Sequence, residues 1–75
     1  MVRNYFLVRP SVKATTEQVC NWVNDRYKKD LTTRDISRHI SNLRDQNFLK
    51  NTDSYGKNAK GTLITRYAYI PSNKR

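Results

Sequence analysis

The sequence predicts a small α+β domain, with two main helices followed by a β-hairpin and a short N-terminal strand that completes a small antiparallel sheet. Three observations carry this expectation. Apolar residues recur at helical spacing in two segments, 16–28 and 33–46, and each segment opens on threonines that can cap a helix. A turn-rich stretch, 53–61, separates two short apolar runs, which is the pattern of a hairpin. The 75 residues leave room for one domain, expected over 1–71, with a basic tail at 72–75.

Residues 2–9, VRNYFLVR, are dominated by branched and aromatic side chains, and Pro10 closes the run, so a short extended strand is expected there. A connector runs from Pro10 to Ala14. Thr15 and Gln18 then have the spacing of a capping box, in which each side chain satisfies the other residue's free backbone N–H. In the helix that follows, Val19, Trp22, Val23 and Tyr27 share one face and Cys20 flanks it. Arg26 also falls within that face, so either its head reaches out to solvent or the helix stops early. Lys28 and Lys29 lie in the last turn, where cations suit the helix dipole.

Asp30-Leu31-Thr32 breaks the helical pattern, and Thr32 or Thr33 can cap a second helix with Asp35 near its positive end. Ile36, Ile40 and Leu43 form its narrow apolar stripe, opposite Arg34, Ser37, Arg38, Ser41 and Asp45. Asn47 suits a left-handed helix stop. A strand over 48–52, a long basic loop over 53–61 and a strand over 62–70 follow, closed by Pro71. In the last strand Leu63, Thr65, Tyr67 and Tyr69 alternate with Ile64, Arg66, Ala68 and Ile70. Trp22, Tyr27 and Cys20 are expected in the core, with His39 at its edge.

Charge narrows the function. Fifteen Lys and Arg face six Asp and Glu, for a net charge of +9, and self-repulsion of that size points to a polyanionic partner. A hydrophobic fraction of 36% is enough for a folded domain, which sets the chain apart from a disordered basic tail. The lone cysteine permits no internal disulfide, so a reducing compartment is expected: the cytoplasm, with the nucleoid, or the nucleus in a eukaryote. No Cys/His set stands at metal-ligand spacing. No apolar run approaches a membrane span, and Val2 to Val8 is too short and mixed for a signal peptide. There is no nucleophile–base–orienter set, no paired carboxylates and no phosphate-cradling glycine loop. The expectation is a non-enzymatic protein with no cofactor, no metal and no small-molecule ligand.

Residues 30–49, DLTTRDISRHISNLRDQNFL, resemble the turn and reading helix of the winged helix-turn-helix superfamily of DNA-binding domains. Leu31 stands at the apolar turn position and Thr32 at the cap. Ile36, Ile40 and Leu43 match the buried stripe, Ser37-Arg38 the polar pair after its first member, and Phe48-Leu49 the apolar pair that opens the wing. The resemblance covers about half the chain closely. It departs in three places: Asn47 stands where the family usually has glycine, the turn is about a residue longer, and the strand-like N-terminus replaces a preceding helix. A second alignment contracts the element between the helices to a turn around Asp30, and both keep 33–46 as the reading helix.

The resemblance implies a transcriptional or mobile-element regulator of phage or plasmid type that binds double-stranded DNA. Arg34 and Arg38, one turn apart, are the expected base readers, since Arg forms bidentate pairs with guanine O6 and N7. Ser37 and Ser41 reach bases or phosphates, Thr32 and Thr33 take a phosphate at the helix start, and Arg44 contacts the backbone. Tyr55, Lys57, Asn58 and Lys60 form a basic wing for the backbone or the minor groove, with Gly56 and Gly61 as flexible turns. A homodimer on DNA is expected through exposed edges of the first and last strands. Two other readings stay open: a protein-interaction module for a polymerase or recombinase component, and an RNA-binding sheet that uses Tyr5, Tyr67 and Tyr69.

Overall fold

A computed structural model describes residues 1–74, an α+β chain of three helices followed by a two-stranded antiparallel hairpin. The helices are α1 (Val2–Val8), α2 (Thr16–Tyr27) and α3 (Thr33–Asp45), and the strands are β1 (Leu49–Lys57) and β2 (Leu63–Tyr69). A single 3₁₀ turn, Ser72–Lys74, follows. Of the expected basic tail 72–75, Arg75 lies outside the described residues.

The first correction is at the N-terminus, where the expected strand 2–9 is the helix α1. Val2, Tyr5 and Phe6 are its buried residues, and their spacing of three and four is helical. The branched and aromatic content favours strand locally, but a residue's packing decides, and these three side chains reach the core only on a helix. No side chain caps this short helix, so tertiary contacts hold it. The Tyr5 ring meets Trp22 edge-on at 5.5 Å and Asn4 Nδ2 donates to Tyr27 Oη at 2.8 Å. Arg3 lies over the Phe48 ring at 5.1 Å, and Arg9 lies over Tyr5 and Trp22 at 5.2 and 5.6 Å.

The second helix forms one residue shorter than expected, and Lys28 and Lys29, expected in its last turn, lie beyond its end. Thr15 Oγ1 accepts from the Gln18 N–H at 3.2 Å and the Thr15 N–H donates to Gln18 Oε1 at 2.9 Å, which completes the capping box. Val19, Cys20 and Val23 are buried, and Trp22 and Tyr27 pack on the core from its margin. The helix ends at Tyr27 because Lys28 turns left-handed (φ 54°), so Arg26 lies in the last turn with its side chain exposed.

The turn into α3 is built by a side chain that the sequence pattern does not flag. Asn24 accepts from the Leu31 N–H and donates to the Leu31 carbonyl, both at 2.9 Å. Cys20 Sγ also donates to that carbonyl, at 3.3 Å. Thr32, not Thr33, is the cap of α3: its Oγ1 accepts from the Asp35 N–H at 3.3 Å while Asp35 Oδ2 accepts from the Thr32 N–H at 3.1 Å. Ile36, Ile40 and Leu43 are buried, and Asn47 takes the left-handed stop at φ 62°.

The hairpin differs from expectation in extent. The strands 48–52 and 62–70 with a loop over 53–61 are replaced by a β1 that continues to Lys57 and a short turn over 58–62. Asp53 and Ser54, read as loop formers, instead form an irregularity inside β1. Asn51 pairs with Tyr67 and Tyr55 with Thr65, so three residues of β1 stand opposite Arg66 alone. Thr52 holds the bulge: its Oγ1 donates to the Arg66 carbonyl at 2.8 Å and accepts from the Ser54 N–H at 3.1 Å. Gly56 lies within β1, and Gly61 alone supplies a turn conformation, at φ +79°.

The third pairing is also displaced. Ala14, in the connector, exchanges two backbone hydrogen bonds with Tyr67, at 2.9 and 2.7 Å. The N-terminal segment therefore offers no strand edge for the expected dimer. Between the helices and the base of the hairpin, Phe6, Val19, Val23, Ile36, Ile40 and Leu49 form the fully buried centre. Phe48 lies against Tyr69 with ring centroids 4.9 Å apart.

Removing the clamp between α2 and α3 tests this account. Asn24→Ala leaves both backbone groups of the half-buried Leu31 without that partner, and it is expected to lower unfolding free energy by about 1–3 kcal/mol in urea titrations.

Candidate nucleic-acid interface

Burial of Ile36, Ile40 and Leu43 turns the opposite face of α3 to solvent. Arg34, Ser37, Arg38 and Ser41 follow one another at helical spacing on that face, the first three exposed and Ser41 half-buried. They line a cleft of about 920 Å³ together with Thr33, the first residues of α2 (Thr16 and Glu17) and the hairpin residues Asn58, Leu63, Ile64, Thr65 and Tyr67. The structure thus brings together six of the expected site residues: Thr33, Arg34, Ser37, Arg38, Ser41 and Asn58.

The other expected residues take different places. Thr32 is committed to the capping box, with its hydroxyl hydrogen-bonded to Asp35. Arg44 is exposed on α3 but does not line the cleft, and its Nη1 donates to Asn51 Oδ1 at 3.3 Å. Tyr55 and Lys57 lie on β1, directly across the ladder from Thr65 and Leu63, and Lys60 is exposed in the turn.

Asn58 organises that turn. Its Oδ1 accepts from the Lys60 N–H at 2.9 Å and the Thr62 N–H at 3.0 Å. Its backbone closes the turn by donating to the Thr62 carbonyl and accepting from the Gly61 N–H. Its first task is therefore structural: it presents Lys60 on a defined turn.

Two contributors escape the sequence pattern. Glu17 Oε2 accepts from the Ala59 N–H at 3.2 Å, so the only glutamate of the chain ties the hairpin turn to the start of α2. In the sequence it reads simply as a first-turn acid favoured by the helix dipole. Gly56 is the second. A Cβ there would come within 2.9 Å of Thr15 Cγ2, so β1 can lie against the cap of α2 only with glycine at this position. The composition of 53–61 suggests a loop and hides both contacts.

Two titrating groups are shifted. Hydrogen bonds from the Thr32 backbone and hydroxyl hold the Asp35 carboxyl below its ordinary value, with smaller help from the charges of Arg38 and His39. Burial pushes the Cys20 thiol up, so it stays protonated at neutral pH and acts as a small packed side chain. Among the described residues no three His, Cys, Asp or Glu side chains gather as a metal site, and no helix is long and apolar enough to cross a membrane. The cleft offers guanidinium and hydroxyl donors on a rigid helix beside a basic turn, a donor set suited to phosphate and base edges.

Asp35 gives the site a pH signature. Its folded pKa lies below the unfolded value of about 3.9, so its contribution to stability is complete above that value and is lost as pH falls through the lower folded one. Asp35→Asn is expected to flatten the acid-side decline of the melting temperature, followed by circular dichroism. In a second test, Glu17→Ala is expected to speed hydrogen exchange at the Ala59 amide while leaving the amides of α3 unchanged. No protein-family model, curated protein or solved structure matches this chain.

Proposed function

We propose that the chain is a winged helix-turn-helix domain that binds double-stranded DNA and acts as a sequence-specific regulator. In this reading α3 enters the major groove and the hairpin is the wing. The observation that carries it is the shared cleft, lined by the polar face of α3 and by the hairpin residues Asn58, Leu63, Ile64, Thr65 and Tyr67, with Lys57 and Lys60 exposed on either side of Asn58 in the chain. Arg34 and Arg38 read base edges, Ser37 and Ser41 contact bases or phosphates, and Lys57 and Lys60 follow the backbone. Arg44 adds a phosphate contact at the edge of the surface.

Helix α1 strengthens the resemblance, because it supplies the preceding helix that the strand-like reading had removed. The RNA alternative draws less support, because Tyr5 is buried and the half-buried Tyr67 and Tyr69 pack against the core, with only Tyr67 of the three bordering the cleft.

Fluorescence anisotropy with random duplex DNA and single-stranded RNA at two salt concentrations tests the proposal. Duplex binding is expected to be the tighter and to weaken steeply with salt. Absence of duplex binding at physiological salt would overturn it in favour of a protein partner. After selection of a preferred site, Arg38→Ala is expected to cost about 1–3 kcal/mol there and to relax preference at one base pair, whereas equal loss on all sequences would make Arg38 a phosphate contact.

A further inference from the structure

The hairpin carries an apolar feature that phosphate contact does not explain. Leu63 is 63% exposed and Tyr55 56% exposed, whereas the other exposed large apolar residues belong to the N-terminus, α1 and the connector. Scattered exposed apolar residues are ordinary, so exposure alone says little. Their position says more. Lys57 pairs with Leu63 and Tyr55 with Thr65, so these four side chains share one face of the hairpin. Leu63 and Thr65 line the cleft beside Arg34 and Arg38. The hairpin wall of the cleft, to which Ile64 of the opposite face also contributes, therefore bears at the mouth of the turn a leucine directly across the ladder from a lysine.

We propose that Leu63, flanked by Tyr55, is a wedge that enters the minor groove of duplex DNA, partly unstacks a base step and bends the duplex. This inference rests on the DNA-binding reading of the same cleft. Duplex DNA offers two chemistries side by side: anionic rails along the groove edges and apolar base faces between them. Lys57 and Lys60 suit the rails, and Leu63 suits the space between bases. A two-stranded ribbon is narrow enough to serve as a groove reader.

A wedge must also be stiff, since prising bases apart costs free energy that a soft loop would avoid by folding away. The hairpin is braced at three points. Thr52 locks the bulge onto Arg66, Asn58 closes the turn through side chain and backbone, and Glu17 holds Ala59. Pyrimidine–purine steps unstack most readily, so the wedge is expected to favour TA or CA/TG steps beside the site read by α3.

The test uses the full chain and a duplex of about 30 base pairs with a donor and an acceptor on its ends and 2-aminopurine beside a central TA step. Anisotropy reports binding, energy transfer reports bending and 2-aminopurine fluorescence reports unstacking. The unaltered protein is expected to raise both of the last two signals at saturation. Leu63→Ala removes an exposed side chain, and its fold is checked by circular dichroism. It should still bind within about tenfold, because the saved cost of deformation offsets the lost contact, but neither signal should rise. Leu63→Met should restore both. Saturated binding of the unaltered protein without either signal would overturn the wedge and leave DNA binding intact, as would an unchanged bend with Leu63→Ala. No binding to the duplex would overturn the DNA reading, and the wedge with it.

Discussion

The arrangement of this chain depends on one side chain at the junction of two helices. Asn24 satisfies both backbone groups of Leu31, which would otherwise face the core margin with no regular partner. That clamp fixes where the chain leaves the left-handed Lys28 and where Thr32 begins α3. The direction of α3 then follows, and with it the side of the molecule on which Arg34, Ser37 and Arg38 emerge. Neither capping box can do this alone, because a cap stops fraying at one end of one helix and leaves the angle between helices free. The clamp joins α2 to the turn before α3, and the Cys20 thiol adds a second hydrogen bond to the Leu31 carbonyl.

A second constraint is size. A chain this short buries little apolar surface, and its buried side chains gather between the three helices and the base of the hairpin. The division is sharp in α3, where Ile36 and Ile40 are almost completely buried while Arg34, Ser37 and Arg38 are exposed. The opposite economy rules the hairpin, which has almost no core beyond Leu49 and its neighbours. Its distal half is held by hydrogen bonds and by close approach: the Thr52 bulge, the Asn58 turn, the Glu17 tether and the contact that only Gly56 permits. Polar interactions of this kind fix geometry more than they add stability.

What was legible in the sequence follows from the range of the interactions involved. The capping box of α2, the stop at Asn47 and the two apolar stripes are local, and they appear where spacing places them, as does the cap of α3 at one of the two threonines offered for it. So does the membership of the polar cleft face, since helical periodicity alone sets which residues oppose Ile36 and Ile40. The strand expected over 2–9 failed because composition was weighed above spacing: Val2, Tyr5 and Phe6 already have helical periodicity, and their partners, Trp22 among them, lie far along the chain. Asp53 and Ser54 misled for a related reason. Turn formers mark a departure from regular strand, and a bulge and a loop are both departures, which only the partner strand can distinguish. Glu17 and Asn24 were invisible as contributors, because each acts on a backbone group whose nearness depends on the fold.

The charge of +9 also needs division before it is read as an interface. Arg3 and Arg9 lie over the rings of Phe48, Tyr5 and Trp22, where they cover aromatic surface that α1 alone is too short to bury. Arg66 lies at the bulge and donates to Ser54 Oγ at 3.2 Å, so it serves the hairpin. These arginines act as flat, partly apolar covers, a role for which lysine is poorly suited. Of the remaining cations, Arg34 and Arg38 line the cleft and Lys57 and Lys60 are exposed near the hairpin turn, while Lys13, Arg26, Lys28, Lys29 and Lys50 are exposed elsewhere on the surface. The arginines that double as packing stand at α1 and opposite the bulge, whereas Arg34 and Arg38, which line the cleft, lie on the face of α3 turned away from the core.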